Sequence, residues 1–211
     1  MPPSGFLGAE TYALLRPGAG GETAQFFYVN PDAHLRRYDR IILEPMQFWR
    51  PPGMQQTLTA EQRQVAADLF HATLREELAK DFQIVSQPGP TTMVVATAIT
   101  QLSEGGPPVL STVSNFVPIT RLARRGAAVL TGSDPLVGHV SGEIRITDSV
   151  TGEVIGAAVD SRDARAGIAV HTSRWDDVQA IARYWAQLAR YRLCRGQERA
   201  GCVPPPAGIR G

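Results

Sequence analysis

Residues 140–162, VSGEIRITDSVTGEVIGAAVDSR, constrain the fold more than any other stretch of this chain. Two runs of strand-forming residues flank Thr151-Gly152, a tight-turn pair. On the first run Ile144 and Ile146 share one face, while Glu143, Arg145 and Thr147 share the other. That period-2 alternation marks a half-buried strand. The return run offers Ile155, Ala157 and Val159 on one face and Val154, Gly156 and Ala158 on the other. Turn chemistry favours a three-residue loop with Gly152 in the left-handed region, which pairs Ser149 with Glu153 and sets Ile144 opposite Ala158. A one-residue slip, through a two- or four-residue loop, sets Ile144 opposite Val159 and Ile146 opposite Ala157 instead. Slippage carries a whole side-chain set across the sheet, so burial should outweigh turn preference. The slipped register is therefore the predicted one.

A chain of 211 residues that is 43% hydrophobic and 19% charged has enough apolar surface for one real core. Its formal net charge is +1 and no basic block stands out, which leaves nucleic-acid binding without an electrostatic footprint. No run approaches the ~18 apolar residues of a membrane span. The first residues, MPPSGFLGAET, have neither a basic n-region nor an apolar h-region, so no signal peptide lies within this numbering. Cys194 and Cys202 sit in a polar, glycine-containing tail and lack zinc-site spacing. A disulfide between them is the better reading, and it implies an oxidising compartment.

The chain divides into an extended N-terminal arm (1–25), a single α+β domain (26–193) and a mobile C-terminal tail (194–211). Apolar Phe6-Leu7 and Tyr12-Leu14-Leu15 suggest that the arm lies on the body. Residues 26–29 form a short strand, and residues 40–49 (RIILEPMQFW) a stronger one whose Pro45 implies an edge or a bulge. Thr59, with Gln62 three residues on, makes a capping box for a long helix. Its stripe is Ala66, Leu69, Phe70, Thr73, Leu74 and Leu78. Residues 81–86 are a strand. Residues 92–102 (TMVVATAITQL) are apolar or small on both faces, as in a central strand. A second helix opens after Ser173 and buries Val178, Ile181, Ala182, Trp185, Leu188 and Ala189. The sum is an α+β fold: a mostly antiparallel sheet of about five strands, with two amphipathic helices packed on one face. The unit from 40 to 86 adds a parallel pair through its helix.

Catalytic patterns are sparse. His34, His71, His139 and His171 share no spacing, and no GxSxG elbow accompanies them. His71 lies beside the helix stripe without a partner one turn away, which reads as a boundary residue. Asp148 and Asp160 flank the hairpin and could serve acid/base work, although capping a turn or pairing with Arg145 or Arg162 is the commoner use. Trp175, Tyr184 and Trp185 line a groove or pack on the sheet. Arg121, Arg124 and Arg125 form a small basic cluster that reads as a solvated face or a contact for acidic headgroups. No cofactor and no metal site is indicated. A partner surface is predicted near Phe6, Phe48 and Trp49.

Ordered motifs carry a family resemblance: SGFLG at 4–8, YALLRPG at 12–18, FYVNPDA at 27–33, YDRIILEPMQFW at 38–49, DSVTGEVIGAAVDSR at 148–162 and SRWDDVQAIARYWA at 173–186. The chain resembles a family of bacterial lipoproteins known as domain of unknown function 3313, over residues 4 to about 192. The resemblance implies an exported protein held at the membrane by a lipidated cysteine. This numbering has no such leader, so the chain reads as a mature form with Met1 added. The family supplies no catalytic residues. The expectation is thus a non-catalytic, periplasm-facing domain that binds or assembles another envelope component, with a lipid anchor as its only link to the membrane. Two alternatives stand beside it: a hydrolase or lyase acting on an envelope polymer, with Asp148 or Asp160 near a histidine in a pocket, and a structural subunit of a homo-oligomer.

Overall fold

The computed structural model describes residues 3–19, 23–49, 58–104, 137–163 and 174–206. In chain order they form α1 (Ala9–Leu14), β1 (Arg16–Pro17), β2 (Phe26–Val29), a 3-10 turn (Leu35–Arg37), β3 (Arg40–Leu43) and β4 (Gln47–Phe48). Then come α2 (Ala60–Leu78), β5 (Gln83–Ile84), β6 (Thr92–Glu104), β7 (Val137–Asp148), β8 (Val154–Asp163) and α3 (Arg174–Gly196). All eight strands join one sheet in the order β1-β2-β8-β7-β6-β3-β5, with β4 also on β6.

The class is α+β as expected, but the sheet is mixed and larger than the five mostly antiparallel strands predicted. β3 lies parallel to both β5 and β6, and β4 is parallel to β6; the other pairs are antiparallel. One of the extra strands, β4, has a physical origin in Pro45, and another, β1, comes from the N-terminal stretch. Leu43 pairs with Val95 and Gln47 with Ala98, so four steps on one side match three on the other. Pro45 cannot donate to the ladder, and the extra residue bulges out there, splitting the expected 40–49 strand in two. β6 is central, paired on both sides, as its two apolar faces require.

α2 begins on the predicted cap. Thr59 Oγ1 accepts from the Gln62 backbone N at 3.1 Å, and Gln62 Oε1 accepts from the Thr59 N at 2.8 Å. Ala66, Phe70, Leu74 and Leu78 are buried from its stripe, and α3 buries Val178, Ile181, Ala182 and Leu188. Both helices pack on the sheet face that carries Met93, Val95 and Ile99, with Ile144 and Ile146 partly buried against them. Arg190 of α3 ties the two helices together, bonding Asp81 at 2.6 Å and Glu77 at 3.0 Å. Burial alone would raise the Glu77 pKa, but the bonds from Lys80 and Arg190 outweigh it and hold the carboxyl below its ordinary value.

The hairpin register is a correction. Ile144 faces Ala158, and Ile146 faces Gly156, not Val159 and Ala157. The tip itself follows a different spacing: the Asp148 N donates to the Glu153 carbonyl and Thr147 pairs with Val154, with Gly152 at φ +74°. An irregularity at Ile155 then shifts the pairing into the turn-favoured register. The reason lies on the other face of the sheet, which the burial argument took to be wet. Phe6 and Leu7 bury there against Ala96, Ala98, Ala157 and Val159, with Tyr12, Leu15, Phe26 and Trp49 packed around them. Val159 is therefore buried without having to join Ile144. The N-terminal stretch that does this contains a helix and a short strand, where an extended arm was predicted.

At the other end α3 runs to Gly196, and Cys194 is bonded to Cys202 with a Cα–Cα distance of 5.7 Å. Between them Gln197 is buried, and its Nε2 donates to the Leu35 carbonyl at 3.0 Å and the Tyr38 carbonyl at 2.6 Å. Those bonds fix the helix end to the turn before β3.

Candidate functional site

Small residues decide where a concavity forms. On α3, Ala182, Ala186 and Ala189 face the hairpin, and Gly142, Gly156 and Ala158 face α3 from the sheet. The layers cannot close over such short side chains, and a cleft of about 450 Å³ remains between them. Ile144 and Ile146, which a closed core would seal, are only half-buried as a result. The lining is overwhelmingly apolar, and the volume falls in the range of small-molecule sites.

One end is walled by Trp185 and Phe70, whose ring centroids lie 5.4 Å apart. Trp185 lies so close to Gly142 that a Cβ there would meet its ring at 2.7 Å. Glycine is required at 142 by that approach, not by its backbone angle. Trp185 Nε1 donates to Asp160 Oδ2 at 2.7 Å, and Arg162 Nε reaches the same oxygen at 2.7 Å. The Gln25 N donates to the second oxygen at 3.0 Å. Arg162 stacks on the Tyr184 ring at 4.8 Å. Asp160 thus lines the cleft with its charge matched and its lone pairs engaged. Thr97 differs from it. Its residue is 4% exposed, it lines the same cleft on the row of Ile144, and its Oγ1 has no hydrogen-bond partner among the described residues. At the opposite end Arg192 and Arg195 are exposed beside the opening, Arg192 lying 5.3 Å from the Phe27 ring centroid.

The sequence candidates fare unequally. Asp148 is buried at the hairpin tip, where the backbone N of Val150 and of Thr151 donate to it at 2.8 Å. Tyr38 Oη adds 2.7 Å and Arg37 2.5 Å. Burial alone would raise its pKa, but these donors reverse the effect and hold it at about 2. It is a turn-tying residue, held apart from the cleft. The predicted partner surface does not exist as one patch. Phe6 is 8% exposed and packs edge-on against Trp49 at 5.6 Å. Phe48, its neighbour in β4, points to the helix side, since successive strand residues face opposite ways. Arg121, Arg124, Arg125 and His171 lie outside the described residues, as does the Trp175 side chain. Cys194 and Cys202 form the disulfide described above.

Two groupings escaped the sequence reading. His139 Nε2 lies 3.0 Å from Ser141 Oγ, which in turn lies 2.9 Å from Ser161 Oγ. Their one signal was an i, i+2 spacing on a strand. On the arm face Tyr12 Oη donates to Glu143 Oε2 at 2.6 Å and lies 2.9 Å from Ser4 Oγ. Glu143 has no ion-pair partner among the described residues. Burial pushes its pKa above the ordinary carboxylate value, and the bonds from Tyr12 and Ser4 only partly offset that. Among the described residues no three His, Cys, Asp or Glu side chains converge as a metal site, and no helix is long and apolar enough to cross a membrane.

The sequence profile of the family described as "Protein of unknown function (DUF3313)" matches residues 2–189. The chain belongs to that family. A search of curated proteins returned no match. Among solved structures this DUF3313 chain is similar to two dodecamers of PelC from Paraburkholderia phytofirmans, each at 14% identity. The overlays cover 88% of this chain and 97% and 96% of theirs, with TM-scores of 0.38 and 0.37. It is also similar to the hypothetical protein CT253 from Chlamydia trachomatis, at 10% identity, covering 76% of this chain and 96% of that one, with a TM-score of 0.35.

Proposed function

We propose that this DUF3313 chain is a non-catalytic binding domain of the cell envelope, and that its site is the cleft between α3 and the hairpin. The observation that carries this reading is the cleft itself. It is apolar over nearly all its surface, and the two carboxylates among its lining residues are both engaged, Asp160 by Arg162, Trp185 and the Gln25 amide and Glu143 by Tyr12. A general acid or base needs a free proton site within reach of a substrate, and Asp160 offers none. The disulfide supports an oxidising compartment.

Photo-crosslinking in the native cells tests both parts. A photoreactive residue replacing Val29 or Arg195, both at the cleft, should yield a discrete adduct. The same residue at Val150, on the hairpin tip, should not. Identical adducts at all three positions, or none at any, would overturn the binding site. Alkylation of whole cells should leave Cys194 and Cys202 unmodified until reductant is added; free thiols would remove the compartment assignment.

Hydrolysis is a second reading, and it rests on the 3.0 Å contact of His139 with Ser141, the separation of a nucleophile and its base. Ser141 is 1% exposed, and a hydroxyl chain to Ser161 accounts for its bonding. Labelling by a fluorophosphonate that disappears in Ser141→Ala would establish this reading over the first.

A further inference from the structure

We infer that the cleft holds a single long alkyl chain ending in an anionic head, with the chain along α3 and the head at Arg192 and Arg195. This rests on the binding reading above and names its ligand class.

Three features select that chemistry. The first is shape. From Ala182 to Gly196 the cleft's lining follows fifteen residues of α3, about 20 Å at 1.5 Å per residue, and its volume is about 450 Å³. An elongated apolar slot of this kind suits an extended alkyl chain. The second is charge. Arg192 and Arg195 stand at the open end, and neither has a carboxylate partner among the described residues. The arginines nearby are engaged: Arg190 by Asp81 and Glu77, Arg36 by Glu198, Arg37 by Asp148. A guanidinium pair at the mouth of an apolar slot suits a carboxylate or phosphate head. The third is Thr97. A buried hydroxyl without a partner costs free energy unless something bonds it. It faces the cleft from the sheet floor, where an oxygen carried on the chain, such as an ester carbonyl or a hydroxyl, would reach it.

A carboxylate or phosphate head on an alkyl chain comes either from a free fatty acid or from a membrane lipid, and one experiment separates them. The full chain is loaded with a fluorescent long-chain fatty acid, which is then displaced by palmitate, by lysophosphatidylglycerol or by hexadecanol. Displacement by palmitate alone assigns a free acid, and displacement by the lysolipid alone assigns a membrane lipid. Either result, or both, supports the inference. Arg195→Glu, on an exposed position, should weaken palmitate or the lysolipid at least tenfold and leave hexadecanol unchanged. Ala158→Phe, which fills the slot from the sheet side, should abolish all three, with an unchanged circular dichroism spectrum showing that it has folded. If Ala158→Phe fails to fold, Arg195→Glu decides alone. Absence of displacement by any of the three, or equal affinities in Arg195→Glu, overturns the inference. Crosslinks at positions 29 and 195 that persist despite such a result would leave the binding reading standing and the ligand class wrong.

Discussion

The two faces of the sheet are built from alternate residues of the same strands, and they are covered in opposite ways. On the helix face β7 presents Gly142, Ile144 and Ile146, and a pair of long helices stands off far enough to leave a cleft. On the arm face the same strand presents Ser141, Glu143 and Arg145, and residues 4–17 lie directly on it. The thicker cover is the looser one. Helices are rigid and meet the sheet only where their side chains are long enough, so a run of alanines opens a gap. The arm, a short helix and strand with connecting loops, lies closely on the surface and buries Phe6 and Leu7 against it. A polar group can therefore be buried on the arm face, as Glu143 is, because the arm brings Tyr12 and Ser4 to it.

The comparison is sharpest where charge meets burial. Asp160→Ala removes a buried carboxylate that pairs with Arg162, and breaking a buried pair in this way should cost about 3–5 kcal/mol by urea denaturation. Replacing both residues by apolar ones of like volume should restore most of that loss. If the single change costs under about 1 kcal/mol, the helix face is wetter than described.

Packing gives the next test. Ile181→Ala, in the sealed part of the helix layer, should cost about 2–5 kcal/mol, the range for large-to-small core changes. Ile144→Ala should cost less than half as much, because that side chain already borders the cleft. Equal losses would mean that the cleft is closed in solution.

Two acids provide opposite pH signatures. Asp148 has a folded pKa of about 2, below its unfolded value, so its contribution is complete above about pH 4 and lost as pH falls toward 2. The loss should be on the order of 2 kcal/mol, trimmed by solvent around half-exposed Arg37, and absent in Asp148→Asn. Glu143 is raised in the folded state. Its stabilising effect is present below its unfolded value near 4.5 and lost as pH rises through the folded one. Glu143→Gln should accordingly be close to neutral at pH 4 and stabilising at pH 7.

The last test is Tyr12→Phe. Removing the donor to Glu143 should cost about 1–3 kcal/mol and enlarge the difference that Glu143→Gln makes at pH 7. Loss of stability without that pH dependence would place Tyr12 in packing alone.

Local signals in the sequence predicted local structure well. The Thr59–Gln62 box, the α2 stripe, the central place of β6 and the existence of the hairpin all follow from residues within a turn or a strand of one another. What went unread depends on partners far away in sequence. The hairpin register turned on an arm more than a hundred residues upstream, and so did the burial of Glu143. Phe6, Phe48 and Trp49 are all apolar, but their neighbours placed two of them on one face and the third on the other. The cleft left no positive mark either, because it arises from the shortness of side chains that in isolation read as ordinary helix and strand formers.

The pairing of β2 with β8 has a bearing on how the molecule is made. Phe26 sits beside Val159, so the segment that precedes it in synthesis has no surface to dock on until β8 has emerged. At roughly 5–20 residues per second, Phe6, Leu7 and Tyr12 wait on the order of ten seconds with their apolar groups uncovered. The βαβ unit of β3, α2 and β5 can assemble meanwhile from contacts close along the chain. Completion then requires a long loop to close, and residues translated well before β8 are the last to be seated.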